Sequence, residues 1–152
     1  MSRHSDLYAE DFYTWTQTTA AAIRAGKWAS IDREAVATEI ESLGVNHEGT
    51  LYSHLKQLVT HLLKWAYQPA RRHRGHAWES TIIHVRSEIA WLIERNPGLA
   101  PRLEPLLQHG YPTARHLARA QTGLALTTFP LACPWTIAQV LHDDFWPEDL
   151  AA

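Results

Sequence analysis

The sequence is poor in several features that would restrict what the protein does. It has a single cysteine, Cys133, among 152 residues, so an internal disulfide is excluded and a reducing cytoplasm is the expected location. No apolar run approaches the roughly 18 residues of a membrane span, and Met1–Glu10 has no signal-peptide core. The net charge of -2 with neutral histidine supplies no bulk field that would attract nucleic acid or an anionic membrane.

The motifs of familiar enzymes are also missing. The sequence contains no G-x-S-x-G nucleophile motif, no glycine-rich phosphate loop and no CxxC pair. Cys133 has no basic neighbour in sequence and precedes a proline, so we expect a packed thiol and not a nucleophile. A chain of this length can bury a core without disulfides or a structural metal. We therefore expect one domain over residues 1–152 and no cofactor.

What the sequence does contain is helical periodicity. Apolar residues recur at spacings of three and four, and no strand-like alternation precedes Gly123. We predict helices over about 6–25, 32–43, 46–67, 78–95, 100–108 and 113–122, with a last turn or two over 136–141. Glycines at positions 26 and 44 and proline at 69 are the expected stops. The spacing predicts an all-α, up-and-down helical bundle with short additional helices and an irregular C-terminal segment.

Three of these helices carry stripes that indicate how they pack. Leu51, Leu55, Leu58, Leu62 and Ala66 make the predicted helix 46–67 the central element of the bundle. The helix before it has a predicted core stripe of Val36, Ile40 and Leu43, and the helix after it one of Trp78, Ile82, Val85, Ile89 and Leu92.

Two further apolar features lie outside these stripes. On the helix 78–95, Ile83 and Trp91 point nearly opposite to the core stripe, which indicates a sandwiched helix or a face offered to a partner. Phe145 and Trp146 make the C-terminal tail aromatic, so we expect it to pack on the body.

Several segments, taken in order, resemble a known family. They are YAEDFYTWTQTTAAAIRAG, IDREAVATEIESLG, HLLKWAYQP, AWESTIIHVRSEI, NPGL and FPLACPWTIAQVLHDDFWP, which together run from Tyr8 to Pro147. The chain is similar to the bacterial domain-of-unknown-function family numbered 29. It departs from the family at Ala77, where a serine is usual, and at Gly98, where the family has Pro-Ser-Leu and this chain has Pro-Gly-Leu. The resemblance implies an up-and-down helical bundle and brings no catalytic residues.

The residues that could carry chemistry are few. His54 and His61 lie a heptad apart on one predicted helix, roughly 10 Å along its axis, which is too far for both to bind one ion from a straight helix. A metal site would therefore need ligands from other helices, such as Glu39 or His84. The alternative is that both histidines lie at the edge of the core and hydrogen-bond to Glu39, to Glu41 or to backbone.

Arg86 lies on the flank of an apolar helix and needs a partner if it is covered. One hypothesis is an interhelix ion pair with Glu39 or Glu41 that fixes the register of the bundle. The other is an anion-binding arginine in a pocket. Glu39, His54, His61 and Arg86 are thus the candidate pocket or structural clamp.

The run Arg71, Arg72, His73 and Arg74 is the one dense basic segment of the sequence. Flanked by Tyr67 and Trp78, it could grip phosphates while bases stack on the aromatic rings. A solvated loop is the simpler interpretation, because the rest of the chain is mildly acidic.

We therefore expect a non-catalytic helical protein that acts through protein contacts, as a homo-oligomer or with a protein partner. A metal-assisted or acid–base enzyme built on the Glu/His cluster is the alternative. Nucleic-acid binding through the basic 71–76 loop is a further one.

Overall fold

The computed structural model describes residues 3–72 and 76–150, and this part of the chain folds into α-helices without strands. The α-helices are α1 (Arg3–Glu10), α2 (Phe12–Arg24), α3 (Arg33–Tyr67), α4 (Ala77–Arg95), α5 (Leu103–Thr122) and α6 (Ile137–Leu141). Short 3-10 helices lie at Trp28–Ser30, Pro69–Arg71, Pro97–Arg102 and Leu126–Thr128. The all-α bundle predicted from the sequence is confirmed. Within the described residues, no helix is both long and apolar enough to cross a membrane.

The chain forms two compact units, Met1–Asn46 and His47–Ala152, so that α3 contributes to both. In the first unit the prediction of one helix over 6–25 is wrong, because the chain breaks at Asp11. The backbone of Asp11 lies outside the helical region, and its carboxylate accepts from the Thr14 amide at 3.0 Å and from the Thr14 hydroxyl at 2.6 Å. A side chain that satisfies a free amide in this way starts a new helix.

The end of α2 follows the prediction. Gly26 takes a positive φ of 69°, its amide donates to Ile23, and the Lys27 amide donates to Ala22. These two bonds form the Schellman motif that a left-handed glycine permits. Asp32 then caps α3 through the Ala35 amide at 3.1 Å.

The predicted stop at Gly44 and the new start at Asn46 are wrong, because α3 continues through both residues for 35 residues in all. Gly44 keeps a helical backbone, and nothing lies within 4 Å of the position of its missing Cβ. A glycine inside a helix costs only about 1 kcal/mol relative to alanine, which packing elsewhere along α3 offsets. The predicted core stripe before it is wrong too, since Ile40 and Leu43 are each 63% exposed.

The second unit contains the main core, to which α3, α4, α5 and the C-terminal segment contribute. The central stripe of α3 is buried as predicted, with Leu51, Leu58, Leu62 and Ala66 at 0% exposure. The other buried apolar side chains of this core include Ile82, Val85, Ile89 and Leu92 from α4, Leu106, Leu107, Tyr111, Ala114 and Ala118 from α5, and Phe129, Trp135 and Val140.

The predicted break at Gly110 and Pro112 is also wrong, because α5 runs through both. Pro112 removes one backbone donor, but it lies on the exposed side of α5, so the carbonyl that loses its partner remains open to water. Gly110 is buried, and a Cβ there would lie 2.9 Å from Lys56 Cγ and 3.1 Å from the Tyr52 ring. The glycine therefore permits a close approach of α5 to α3 and does not end the helix.

The C-terminal segment packs on this core, as predicted. Thr136 caps α6 in a capping box with Gln139. Phe145 and Trp146 are partly buried against the core, and the Leu150 amide donates to the Ala66 carbonyl at 2.9 Å. The segment thereby covers the end of α3 near Tyr67.

Candidate functional site

Arg86 is a buried charge of the second unit, at 3% exposure on α4. Its guanidinium donates to three backbone carbonyls of the C-terminal segment, with Nε–Val140 at 2.9 Å, Nη1–Asp143 at 3.4 Å and Nη2–Phe145 at 2.8 Å. The cation also lies 5.5 Å above the Trp146 ring. Burial lowers the pKa of Arg86, and the charge of Asp143 partly offsets this. The arginine thus fastens the C-terminal segment to α4.

Glu39 has its partner within the first unit. Its carboxylate accepts a hydrogen bond from the Tyr8 hydroxyl, and this bond raises the pKa of Tyr8 above its usual value. The Tyr8 ring also lies 4.7 Å from the Trp15 ring, so Tyr8 joins α1, α2 and α3. Glu39 and Arg86 thus each have hydrogen-bond partners within their own unit, and the Glu39–Arg86 ion pair stays a prediction.

The three candidate histidines, His54, His61 and His84, have different surroundings. His61 is half-buried on α3, and its Nδ1 lies 2.9 Å from the Gln57 carbonyl one turn earlier. Burial lowers the pKa of His61. His54 is half-buried and His84 is exposed. Among the side chains of residues 7–72 and 76–150, no group of three His, Cys, Asp or Glu is placed to hold a metal ion.

The basic segment is only partly described, since His73, Arg74 and Gly75 lie outside the described residues. Arg71 is exposed. Arg72 is engaged with Trp65, because its Nε donates to the Trp65 carbonyl at 2.6 Å and its guanidinium carbon lies 5.2 Å above that ring. Arg72 therefore acts as a packing residue at the end of α3.

Arg72 and Arg86 belong to a stacked set that the sequence did not reveal. The Trp65 and Trp146 rings lie 4.6 Å apart, with Arg72 above the first ring and Arg86 above the second. Cations on the faces of indole rings are stabilised by the ring quadrupole, more so when they are shielded from water. This set joins the end of α3, the middle of α4 and the tail. Arg86 and Trp146 are far in sequence from Trp65 and from each other, so no local pattern could have predicted the whole set.

Lys64 is a second buried cation that sequence reasoning missed. It is 8% exposed, its Nζ donates to Gln121 Oε1 at 3.0 Å, and it lies 5.0 Å above the Trp78 ring. Burial lowers the pKa of Lys64. Trp78, one of the two rings that the nucleic-acid hypothesis would use for base stacking, thus contacts a lysine. Its other predicted companion, Tyr67, packs edge-on against Phe129 at 5.2 Å.

Cys133 has the environment expected for a packed thiol. It is half-buried, and its Sγ donates to the Trp135 carbonyl at 3.4 Å. Burial raises the pKa of Cys133. The thiol therefore stays protonated near neutral pH, when it is a poor nucleophile.

Two surface depressions among the described residues are lined by other residues than the predicted site residues. One in the first unit has a volume of about 630 Å³ and is lined by Thr18, Ala21, Ala22, Ala25, Lys27 and Ser30. One in the second unit has a volume of about 420 Å³ and is lined mainly by Trp135, Phe145, Trp146 and neighbouring tail residues. Glu39, His54, His61 and Arg86 line neither of them.

The outer side of α4 exposes two large apolar side chains, Ile83 and Trp91. Ile83 is 54% and Trp91 is 56% exposed. Four residues of the inner stripe are at most 5% exposed: Ile82, Val85, Ile89 and Leu92. The Arg95 guanidinium lies 5.0 Å above the Trp91 ring. The prediction that α4 is apolar on two sides is thus confirmed, and the second side faces solvent.

These features define an all-helical bundle protein whose buried cations are held by backbone carbonyls, amide oxygen and aromatic rings. The chain belongs to the family Domain of unknown function DUF29, whose family model matches residues 7–146. Comparison with curated proteins and with solved structures gives no match.

Proposed function

We propose that this is a non-catalytic cytoplasmic protein that acts by binding other polypeptide chains, as a homo-oligomer or with a partner protein. The observation that carries the proposal is the outer side of α4, where Ile83 and Trp91 are more than half exposed. Large apolar side chains together on one rigid helix are typical of contact surfaces. The cytoplasmic location is supported by the single cysteine.

The outer side of α4 has the shape that helix packing requires. At about 100° per residue, Ile83, Ser87 and Ala90 fall within an arc of about 60°, and Trp91 lies at its edge. All four side chains are exposed. Small residues beside large ones let a partner helix approach closely, with its side chains between Ile83 and Trp91.

The side-chain conformation of Trp91 is restricted by a neighbouring residue, which favours binding. Arg95, one turn later, lies over its ring at 5.0 Å, which restricts the rotamers of the tryptophan before any partner arrives. Less side-chain entropy is then lost on association. Tryptophan is among the residue types most enriched at positions that dominate binding energies.

Photo-crosslinking tests the proposal. A benzophenone amino acid at position 83 should give a covalent adduct with a polypeptide, whether a second copy or a partner, because the side chain would be buried in the contact. The same group at Gln108, an exposed position on α5, is the control and should give none. Mass spectrometry of the adduct identifies the bound chain.

A negative result at this surface would count against the proposal. If positions 83 and 91 both give no adduct under conditions where the protein is fully folded, the outer side of α4 is not a binding surface. The hypotheses of a metal-assisted or acid–base enzyme and of nucleic-acid binding remain predictions from the sequence, since no described geometry favours either.

A further inference from the structure

Negative charge is concentrated at the C-terminal end of the sequence. Residues 120–152 include four carboxylates, those of Asp143, Asp144, Glu148 and Asp149, and no lysine or arginine. The chain as a whole has a net charge of only -2, so the remainder of the chain carries a small positive excess. A local excess of negative charge raises the concentration of cations near that part of the surface.

Two adjoining surface depressions follow this acidic segment. The first has a volume of about 360 Å³ and is lined by α6 and the residues after it, including Ala138. The second has a volume of about 420 Å³ and extends along the tail to Leu150. Gln139, Asp144 and Phe145 line both depressions, so the two adjoin. The surface around these three residues is called the tail groove here, and each depression has a volume in the range of ligand sites.

The tail groove combines ring surfaces with exposed carboxylates. Phe145 and Trp146 line it and are only partly buried, so part of each side chain is open to a ligand. Asp144 and Glu148 line it as well, and both are exposed. In the part of the chain that the structure describes, the ion pairs between side chains involve other residues. A cation from outside can therefore approach both carboxylates.

No lysine or arginine among the described residues lines the tail groove. Two arginines lie against rings next to it. Arg86 is buried and donates to three backbone carbonyls of the tail, and Arg72 donates to the Trp65 carbonyl. His142, which lines the first depression, is neutral in this arrangement because its Nδ1 accepts a hydrogen bond from the Asp144 amide at 3.1 Å. The charged side chains that line the groove are thus carboxylates.

The tail groove is held in shape by contacts with the body of the second unit. Arg86 binds carbonyls of the tail, including that of Phe145 at 2.8 Å. Thr136 and Gln139 fix the start of α6 in a capping box, and the Leu150 amide donates to the end of α3. A site that is formed before binding loses less conformational entropy when a ligand arrives.

Arginine side chains have the chemistry that this groove requires. Their apolar stem covers apolar surface, while the planar guanidinium stacks on rings and binds carboxylates through parallel hydrogen bonds. In an extended peptide, alternate side chains lie on the same side, so two arginines separated by one residue can enter the two adjoining depressions. Asp144 lines both depressions and Glu148 lines the second, so each depression offers a carboxylate.

We propose that the tail groove binds a basic segment of a partner polypeptide, with arginines two residues apart in its two depressions. The proposal deepens the proposed function, on which it rests, because it names the chemistry of the partner. Charge complementarity favours this occupant over the tail groove of a second copy, which would place carboxylates against carboxylates. The surface is other than the outer side of α4, so the two can fail separately.

Nuclear magnetic resonance of the isotope-labelled full chain tests the proposal. The probe is a pentapeptide with arginine at its second and fourth positions and serine elsewhere. The control peptide has citrulline in place of both arginines, which keeps the shape of the side chains and removes their charge. The arginine peptide should shift the amide signals of Gln139, Asp144 and Glu148 saturably, whereas the signal of Gln108, exposed on α5, should not move. The citrulline peptide should bind about tenfold more weakly or worse.

A charge-removing double variant tests the two carboxylates. Asp144→Asn combined with Glu148→Gln keeps the side-chain shapes and should weaken binding of the arginine peptide about tenfold, because one exposed ion pair contributes up to about fivefold. The matched control is Glu94→Gln combined with Glu104→Gln, at exposed positions on α4 and α5. It changes the net charge equally and should leave the affinity within about twofold, because salt screens distant charges.

Several results would overturn the proposal. One is an arginine peptide that shifts no signal of the tail groove at up to about 1 mM. Another is a citrulline peptide that binds equally well, or a control variant that weakens binding as much as the groove variant, because the attraction would then not come from the groove carboxylates. Groove signals that shift with protein concentration alone would mean that a second copy occupies the groove. If position 83 gives a crosslink while the peptide has no effect, the proposed function stands and the inference about the tail groove is wrong.

Discussion

Replacing Arg86 with methionine should release the C-terminal segment from the bundle. Methionine keeps much of the length and the apolar stem of arginine but provides no donor. Three backbone carbonyls, those of Val140, Asp143 and Phe145, then lose the guanidinium that satisfies them. The Trp146 ring loses its cation as well.

The size of the effect follows from these contacts. A buried acceptor left without a donor costs about 1–3 kcal/mol, and the 3.4 Å bond to Asp143 contributes least. Replacing both residues of a buried ion pair by apolar residues can leave stability unchanged, because both partners are removed. Here the acceptors are backbone and remain. We expect Arg86→Met to lower the free energy of unfolding by about 3–5 kcal/mol.

Urea denaturation with hydrogen–deuterium exchange measures both the size and the place of the loss. The midpoint should fall by about 2 M, and amides of the tail after Val140 should exchange faster than those of α3. Arg86→Lys keeps a positive charge but can donate to fewer carbonyls, so its free energy of unfolding should lie between those of wild type and Arg86→Met. Arg95→Met, which removes an exposed guanidinium above Trp91, is the control and should change stability by about 0.5 kcal/mol or less.

Two results would contradict this reasoning. One is an Arg86→Met protein within about 0.5 kcal/mol of wild type, which would mean that the carbonyls find water or other donors. The other is an equal loss for Arg95→Met, which would assign the effect to charge in general and not to the buried bonds.

Three further predictions concern helix packing and titration. Gly110→Ala should lower stability by about 1–2 kcal/mol, because its Cβ would lie 2.9 Å from Lys56 Cγ. Gly44→Ala, with open space around it, should raise stability by about 0.5–1 kcal/mol, and thermal unfolding that ranks the two variants the other way refutes the packing argument. The pKa of His61 is lowered in the folded protein, so the unfolded chain binds more protons than the folded one at acidic pH. The free energy of unfolding therefore decreases as the pH is lowered below about 6.5. His61→Gln should remove part of that loss in urea titrations at neutral and acidic pH, and an unchanged pH dependence would exclude the histidine as its source. Tyr111→Phe should cost about 1 kcal/mol in the same assay, because it removes the buried hydroxyl that donates to a backbone carbonyl at 2.6 Å, and a neutral result would mean that the bond contributes nothing.

The helical elements of the second unit could be predicted because their signals are local. The buried stripe Leu51 to Ala66, the stop at Pro69 and the cap at Thr136 depend on neighbours within a few residues. One error in the helix bounds fell on Asp11, and the others fell on glycines. Gly26 ends a helix with a positive φ, whereas Gly44 and Gly110 stay helical. The residue type permits both outcomes, so the sequence does not choose between them.

The candidate site was less predictable, for a related reason. Arg86 was correctly singled out as a charge that needs a partner, but its partners are backbone carbonyls more than 50 residues away. Carbonyls are present at every residue, so sequence gives no sign of which ones converge. Lys64 was missed altogether, since a lysine at the edge of an apolar stripe is usually exposed.

By itself the sequence determined the all-α class, the central role of the stripe along α3, the two apolar sides of α4 and the family resemblance. These follow from periodicity, which acts over one or two helical turns. Only the tertiary structure decided that α3 is continuous through Gly44, that Ile40 and Leu43 face solvent and that the tail is fastened by Arg86. Those outcomes depend on which surfaces come into contact. The free energy of burial depends on the apolar area that two surfaces remove from water together, so neither segment determines it alone.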